Sequence, residues 1–109
     1  MQMKNIPFEV IDWQNIEQVK QKGETGFALS KTCNVGVIRV RTIEYSAGYR
    51  ADHWCKKGHI LLILEGELYT ETEDGKINLL KKGMSYQVAD EVMAHRSYTE
   101  KGAKLFIVD

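Results

Sequence analysis

Residues 48–68 read GYRADHWCKKGHILLILEGEL and join a cluster of metal-binding side-chain types to an apolar segment. The cluster, DHWCKKGH at residues 52–59, holds two of the chain's three histidines and one of its two cysteines. The segment HILLIL at residues 59–64 is apolar on both faces, which is typical of a strand covered on both sides. The stretch therefore predicts a buried strand that begins beside side chains able to bind a metal ion.

Glycines divide the chain into short segments. The nine glycines occur at intervals, and the residues between them are rich in β-branched and aromatic types, which favours an all-β sandwich or barrel. The pair Asp74-Gly75 predicts a hairpin turn, because both residues tolerate positive φ. Arg39 and Arg41 share one face of a long candidate strand, which indicates either a bulge or the polar wall of a pocket. The predicted strands cover residues 35–45, 59–64, 67–73, 76–80, 85–89 and 103–108.

Only the segment after Asp12 has a helical pattern. Asp12 can cap a helix, Trp13, Ile16 and Val19 can form its apolar side, and Gly23 can end it. We therefore expect a short helical or irregular N-terminal segment in front of the barrel.

Length and charge limit the classes of protein that the chain can represent. Its 109 residues predict a single domain, residues 1–109, with the core barrel at about residues 34–109. Fifteen basic residues balance fifteen acidic ones, which argues against a protein that coats nucleic acid or an anionic membrane. The longest purely apolar run, residues 60–64, is too short to span a bilayer, and the first residues lack the apolar stretch of a signal peptide. We therefore expect a cytoplasmic protein that binds neither nucleic acid nor membranes.

The histidines and one cysteine are candidates for a metal site. On an extended backbone His53 and Cys55 project to the same face, Gly58 permits a turn, and His59 then opens the next strand. His95 is the remaining histidine and would complete a set of four. Three imidazoles and one thiolate suit a divalent transition metal such as zinc, iron, nickel or copper. They can form a tetrahedral zinc site, or part of a larger shell with open positions for iron or nickel. The spacing alone leaves a second interpretation open, in which these side chains only pack.

Four further side chains are candidates for the lining of a pocket at the barrel mouth, where ligand sites commonly form. For each of them a plain role in the core or at the rim is the alternative. The candidates are Tyr45, Met84, Tyr86 and Met93. Asp52 either faces solvent or accepts a hydrogen bond from a ligand imidazole.

Residues 48–55 and 59–68 resemble the first motif of the cupin superfamily, in which a glycine precedes H-x-H, a glutamate and a further glycine. In this resemblance His53 and Cys55 match the two histidines of the motif, and His59 matches its glutamate. Residues 83–95 resemble the second cupin motif without its Pro-Gly turn, and their last residue, a histidine, matches the last ligand of the family.

The strings DHWCKKGHI, GMSYQVAD and AKLFIVD more narrowly resemble the small single-domain cupins named for a DHCW motif. The resemblance covers nearly the whole chain and implies a jelly-roll barrel, or double-stranded β-helix, that is often dimeric. It implies a metal site inside the barrel with the ligands His53, Cys55, His59 and His95. Two of the four usual ligand types are exchanged, but the residues that replace them can still bind metal. The subgroup implies no particular reaction or substrate.

Three functions follow as alternatives. The first is a metal-binding cupin whose divalent transition metal holds a small-molecule ligand or activates water or oxygen, and whether it is an enzyme stays open. The second is a non-catalytic module that binds or senses a small molecule, and the third is a metal-free structural dimer. We expect a homodimer, because the exposed edge of so small a barrel invites pairing.

Overall fold

The computed structural model describes residues 3–109, which form one short helical turn and eight strands. The all-β fold predicted from the glycine spacing is confirmed. The helical turn is a 3₁₀ turn at Trp13–Asn15. The strands are β1 (Val19–Lys22), β2 (Phe27–Val35), β3 (Ile38–Tyr45), β4 (His59–Thr72), β5 (Ile77–Lys81), β6 (Ser85–Val88), β7 (His95–Tyr98) and β8 (Ala103–Val108).

The helix expected between Asp12 and Gly23 is wrong beyond its first turn. Asp12 does cap the 3₁₀ turn, but Ile16 already has an extended backbone with φ −89° and ψ 134°. From Val19 onward the chain forms β1, which pairs with β2 and satisfies backbone hydrogen bonds in the sheet. Tertiary pairing therefore overrides the local helical pattern. No helix among residues 3–109 is long and apolar enough to cross a membrane.

Strand β4 connects the two halves of the fold. The strand order is β1-β2-β3-β8-β4-β5, and the pairings among the described strands are antiparallel. The first residues of β4 pair with β6 and β8, whereas its later residues pair with β5 and β7. The two strands predicted at residues 59–64 and 67–73 are thus one continuous strand of 14 residues. Its register with β8 shifts between Ile63 and Glu65, where β4 passes from one half to the other.

The hydrophobic core lies between β3, β4 and β8. Ile43, Leu61, Leu105 and Ile107 are buried there, and alternate residues of each strand face inward. His59 precedes Leu61 by two positions, so both side chains lie on the same face of β4. The start of β4 therefore carries an imidazole to the edge of the core.

Candidate metal centre

Three of the four predicted ligands come together at one end of the core. Each of Cys55, His59 and His95 offers one ligand atom, and these atoms all lie within 4.8 Å of one another. Zinc binds sulfur and imidazole nitrogen at about 2.0–2.3 Å, so small side-chain adjustments would bring all three atoms to one ion. Among residues 3–109 this is the one group of at least three such side chains with that spacing.

Backbone pairing brings two of these side chains together from distant parts of the chain. The amide of Cys55 donates to the carbonyl oxygen of His95 at 2.8 Å, and the amide of His95 donates to that of Cys55 at 2.9 Å. Cys55 lies in the connection before β4, and His95 begins β7. The loop that contains the cysteine is therefore fixed against the strand that carries the histidine.

His95 has one ring nitrogen that is prepared to bind a metal. Only 4% of the residue is exposed, and its Nδ1 lies 2.9 Å from the carbonyl oxygen of Met93. A carbonyl oxygen only accepts hydrogen bonds, so Nδ1 donates and Nε2 is left with its lone pair. Nε2 is buried and has no hydrogen-bond partner. Most buried polar atoms are paired, and a metal ion would satisfy this one.

His59 is held in the neutral form that metals bind. Burial and the neighbouring His95 lower the pKa of His59 to about 4, so its imidazole is uncharged at pH 7. The ring centroids of the two histidines are 4.7 Å apart, with an edge-on arrangement. The Nε2 atom of His59 lies 2.7 Å from the hydroxyl oxygen of Tyr86. Burial raises the pKa of Tyr86, so this group stays a neutral phenol. Its oxygen can accept a hydrogen bond from Nε2–H of His59, which orients the ring and leaves Nδ1 with the lone pair that a metal would bind.

His53 lies apart from the group formed by the other three predicted ligands. Its side chain is 75% exposed, and its Nδ1 lies 2.6 Å from Oδ1 of Asp52. The alternation expected for an extended backbone fails here because the chain bends at residues 52–53. The assignment of His53 as a fourth ligand stays a prediction.

The three grouped side chains line a cavity of about 240 Å³ inside the barrel. Tyr45 and Tyr86, two of the predicted pocket residues, also line it. Met84 and Met93 line a separate, larger pocket of about 630 Å³, which shares Tyr86 and His95 with the first. Tyr86 and His95 therefore line both cavities, whereas Cys55 and His59 line only the smaller one.

Charged side chains around the buried carboxylate of Asp109 form another wall of the cavity. Asp109 is 1% exposed at its side chain and binds Arg39 through two hydrogen bonds of 2.9 Å each. Nη2 of Arg41 donates to the same carboxylate at 3.0 Å. The placement of Arg39 and Arg41 on one strand face was a sequence signal for this polar wall, whereas Lys57 and Asp109 gave none.

Comparison with known proteins identifies the fold. No family model and no curated protein matches the chain. The structure of Fe(II)-HppE with the alternative substrate (S)-1-HPP matches with a TM-score of 0.75 at 16% identity and covers 94% of this chain. This chain spans only 60% of that protein.

Two structures from Thermotoga maritima match over more of their own length. A predicted oxalate decarboxylase has a TM-score of 0.74 at 14% identity, with 92% of this chain and 96% of that chain covered. A cupin-like protein has a TM-score of 0.69 at 21% identity, with 86% and 77% covered. At these identities the matches show the fold alone, and that fold is the cupin barrel.

Proposed function

We propose that the protein is a metal-binding cupin that holds one divalent transition-metal ion between Cys55, His59 and His95. The observation that carries this proposal is the buried Nε2 atom of His95, which has no hydrogen-bond partner and belongs to a side chain grouped with two further candidate ligands. An apolar core would have no reason to keep such an atom unpaired, because burying it without a partner costs free energy. Zinc, iron, nickel and copper all accept two imidazoles and a thiolate.

The number of protein ligands indicates what such a site does. Three protein ligands with an open fourth position are typical of catalytic zinc sites, whereas structural sites are closed by four. The cavity beside the group provides room for a small molecule at that position. A bound metal would supply Lewis acidity there. Tyr86 would orient His59, and the Met93 carbonyl would fix the tautomer of His95.

We further propose that the chain is a small single-domain cupin of the DHCW-motif type, is cytoplasmic and forms a homodimer. The DHWC string at residues 52–55 supports the subgroup. Strand β5 supports the dimer, because it lies at one end of the strand order and leaves Ile77 and Leu79 partly exposed. Neither nucleic acid nor a membrane is proposed as a partner, because the chain has no net charge.

The test is the metal content of the protein purified without a chelator, measured by mass spectrometry. The chain offers a matched control, because its second cysteine, Cys33, lies outside the group of three ligands. We expect close to one metal ion per chain in the parent and in Cys33→Ala, and a large loss in Cys55→Ala.

Two results would contradict the proposal. One is a parent protein that binds none of zinc, iron, nickel or copper after incubation with each. The other is a Cys55→Ala variant that folds and keeps the parent's metal content. Either would favour the metal-free alternatives, in which the cavity binds a small molecule directly or the histidines only pack.

A further inference from the structure

The charge lining the cavity is strongly one-sided. Its charged lining residues are four cations, Arg39, Arg41, Lys57 and Arg96, and a single carboxylate, that of Asp109. Arg96 also pairs with Glu71, which lies outside the cavity lining, at 3.3 Å. Four cations set against these two carboxylates still leave two positive charges. The whole chain has fifteen cations and fifteen anions, so this excess is a property of the cavity and not of the protein.

Within this wall Arg39 and Arg41 play different roles. Arg39 binds both oxygens of Asp109 through Nε and Nη2, in the two-pronged geometry that satisfies a carboxylate. Arg41 shares one of those oxygens through Nη2, and this is the one hydrogen bond that the structure gives to its five N–H donors. Its Nε is buried and has no hydrogen-bond partner.

The guanidinium of Arg41 is therefore held in place while most of its hydrogen-bond donors have no acceptor. Asp109 holds it in place at a side-chain exposure of 21%, while its partner Arg39 already neutralises that carboxylate. Both Arg41 and the three candidate metal ligands line the same cavity. A volume of about 240 Å³ lies below the range usual for drug-sized ligands, so the occupant is small.

We propose that this cavity binds a small molecule carrying an oxyanion, a carboxylate or a phosphoryl group, and that Arg41 is the residue that recognises it. Lys57 adds positive charge to the same cavity, and the Arg39–Asp109 pair acts by positioning Arg41. This anion site does not require the proposed metal, because none of its residues belongs to the group of three ligands.

The experiment uses the full chain, as purified and after removal of metal with a chelator. Inorganic phosphate and acetate are the two probes, each titrated at constant ionic strength against chloride. The readouts are the melting temperature and the ¹H–¹⁵N resonance of the Arg41 Nε–H group, assigned by its loss in Arg41→Lys. Arg50→Gln is the matched control, because Arg50 pairs with Glu24 and lies outside the cavity lining.

We expect phosphate, acetate or both to raise the melting temperature and to shift the Arg41 Nε–H resonance, with and without metal. Arg41→Gln should weaken binding about tenfold or more, as expected for a hydrogen bond to a charged group. Arg50→Gln should bind like the parent. The stronger of the two probes identifies the phosphoryl or the carboxylate class.

Three results would overturn the proposal. One is that neither phosphate nor acetate changes the melting temperature or the resonance more than chloride does. Another is that Arg41→Gln binds these anions as tightly as the parent does. The third is anion binding that disappears with the metal, which would place the anion on the ion instead of on Arg41. If Arg41→Gln does not fold, the resonance of the parent decides alone. Because anion binding is also measured on the metal-free protein, its result can be interpreted even if the protein binds no metal.

Discussion

The backbones of Cys55 and His95 are joined by a reciprocal pair of hydrogen bonds, of 2.8 and 2.9 Å, that fixes two candidate ligands from distant parts of the sequence. His59 is then added by β4, which begins four residues after Cys55. Two of the three ligands are thus held by regular strands and the third by a bridge to a strand. A site built on such rigid elements is organised before the metal arrives, which reduces the entropy lost on binding.

The different settings of His53 and His59 predict different effects on metal affinity. His59 is partly buried and belongs to the group of three ligands, whereas the side chain of His53 is 75% exposed and pairs with Asp52. We expect His59→Ala to lower metal affinity more than about a hundredfold, beyond the range of an outer-shell change, and His53→Ala to lower it about tenfold or less, at or below the lower end of that range. A metal titration followed by calorimetry measures both. Equal losses in the two variants would show that His53 moves in as a fourth ligand.

The hydroxyl of Tyr86 predicts an effect of the outer shell. Tyr86→Phe removes the partner of His59 Nε2 but keeps the aromatic ring that packs against the core. Outer-shell changes of this kind typically cost about 10–100-fold in metal affinity, and we expect a loss in that range. Tyr69→Phe is the control, because Tyr69 stacks on Tyr98 away from the site. A Tyr86→Phe variant with the parent's affinity would mean that the hydroxyl does not orient the imidazole ring.

Local patterns predicted the fold class and most of the strands, because glycine spacing and strand alternation are properties of short segments. They missed β2 and β7 and gave β1 as part of a helix. These three strands depend on their partners: β1 pairs with β2, and β7 pairs with the distant half of β4. The stability that these strands gain from pairing depends on distant residues, so their own short segments do not reveal it.

The candidate site likewise contains residues that the sequence could identify and residues that it could not. The residue types at positions 55, 59 and 95 were sufficient to nominate them, because few side chains bind transition metals. Position 53 was nominated on the assumption of an extended backbone, and the bend at residues 52–53 leaves its side chain largely exposed. Asp109 and Lys57 could not be nominated, because their place in the cavity wall follows only from how the barrel closes.

The carboxylate of Asp109 predicts a pH dependence of stability. Burial by itself raises the pKa of Asp109, but the hydrogen bonds from Arg39 and the positive charges of Arg41 and Arg39 outweigh it, so the pKa lies below its ordinary value of 3.8. A carboxylate with a lowered pKa stabilises the fold above the unfolded value, and this stabilisation is lost as the pH falls through the folded value. The contribution of Asp109 is therefore complete at pH 7 and is lost as the pH falls from about 3.8 through the lower pKa of the folded protein.

Asp109→Asn tests this dependence. At pH 7 we expect the variant to lose about 1–3 kcal/mol of unfolding free energy, because two arginines lose their charged partner. The difference from the parent should shrink as the pH falls below 3.8. Urea unfolding at several pH values measures it, and Glu17→Gln, at an exposed position, is the control. A difference that stays constant with pH would show that the charge of Asp109 is not what stabilises the wall.

Comparing Gly66 with Gly48 measures how much stability depends on the close backbone contact that β4 makes where it passes between the two halves of the barrel. Both have positive φ, 78° and 77°, so alanine at either position meets the strain of a positive φ, about 1–2 kcal/mol. A Cβ at Gly48 would have no atom within 4 Å, whereas a Cβ at Gly66 would overlap the carbonyl oxygen of Gly102. Gly66 sits directly after the register shift, where β4 passes between the two halves of the barrel.

We therefore expect Gly48→Ala to lower the unfolding free energy by about 1–2 kcal/mol, and Gly66→Ala to lower it by clearly more. The difference between the two variants isolates the close approach of β4 to the backbone at Gly102, since the strain from φ is common to both. Urea unfolding of the two variants beside the parent gives this difference directly. Equal losses of unfolding free energy would mean that the backbone at Gly102 can move to accept a side chain at position 66. The path of β4 between the two halves of the barrel would then not require a glycine there.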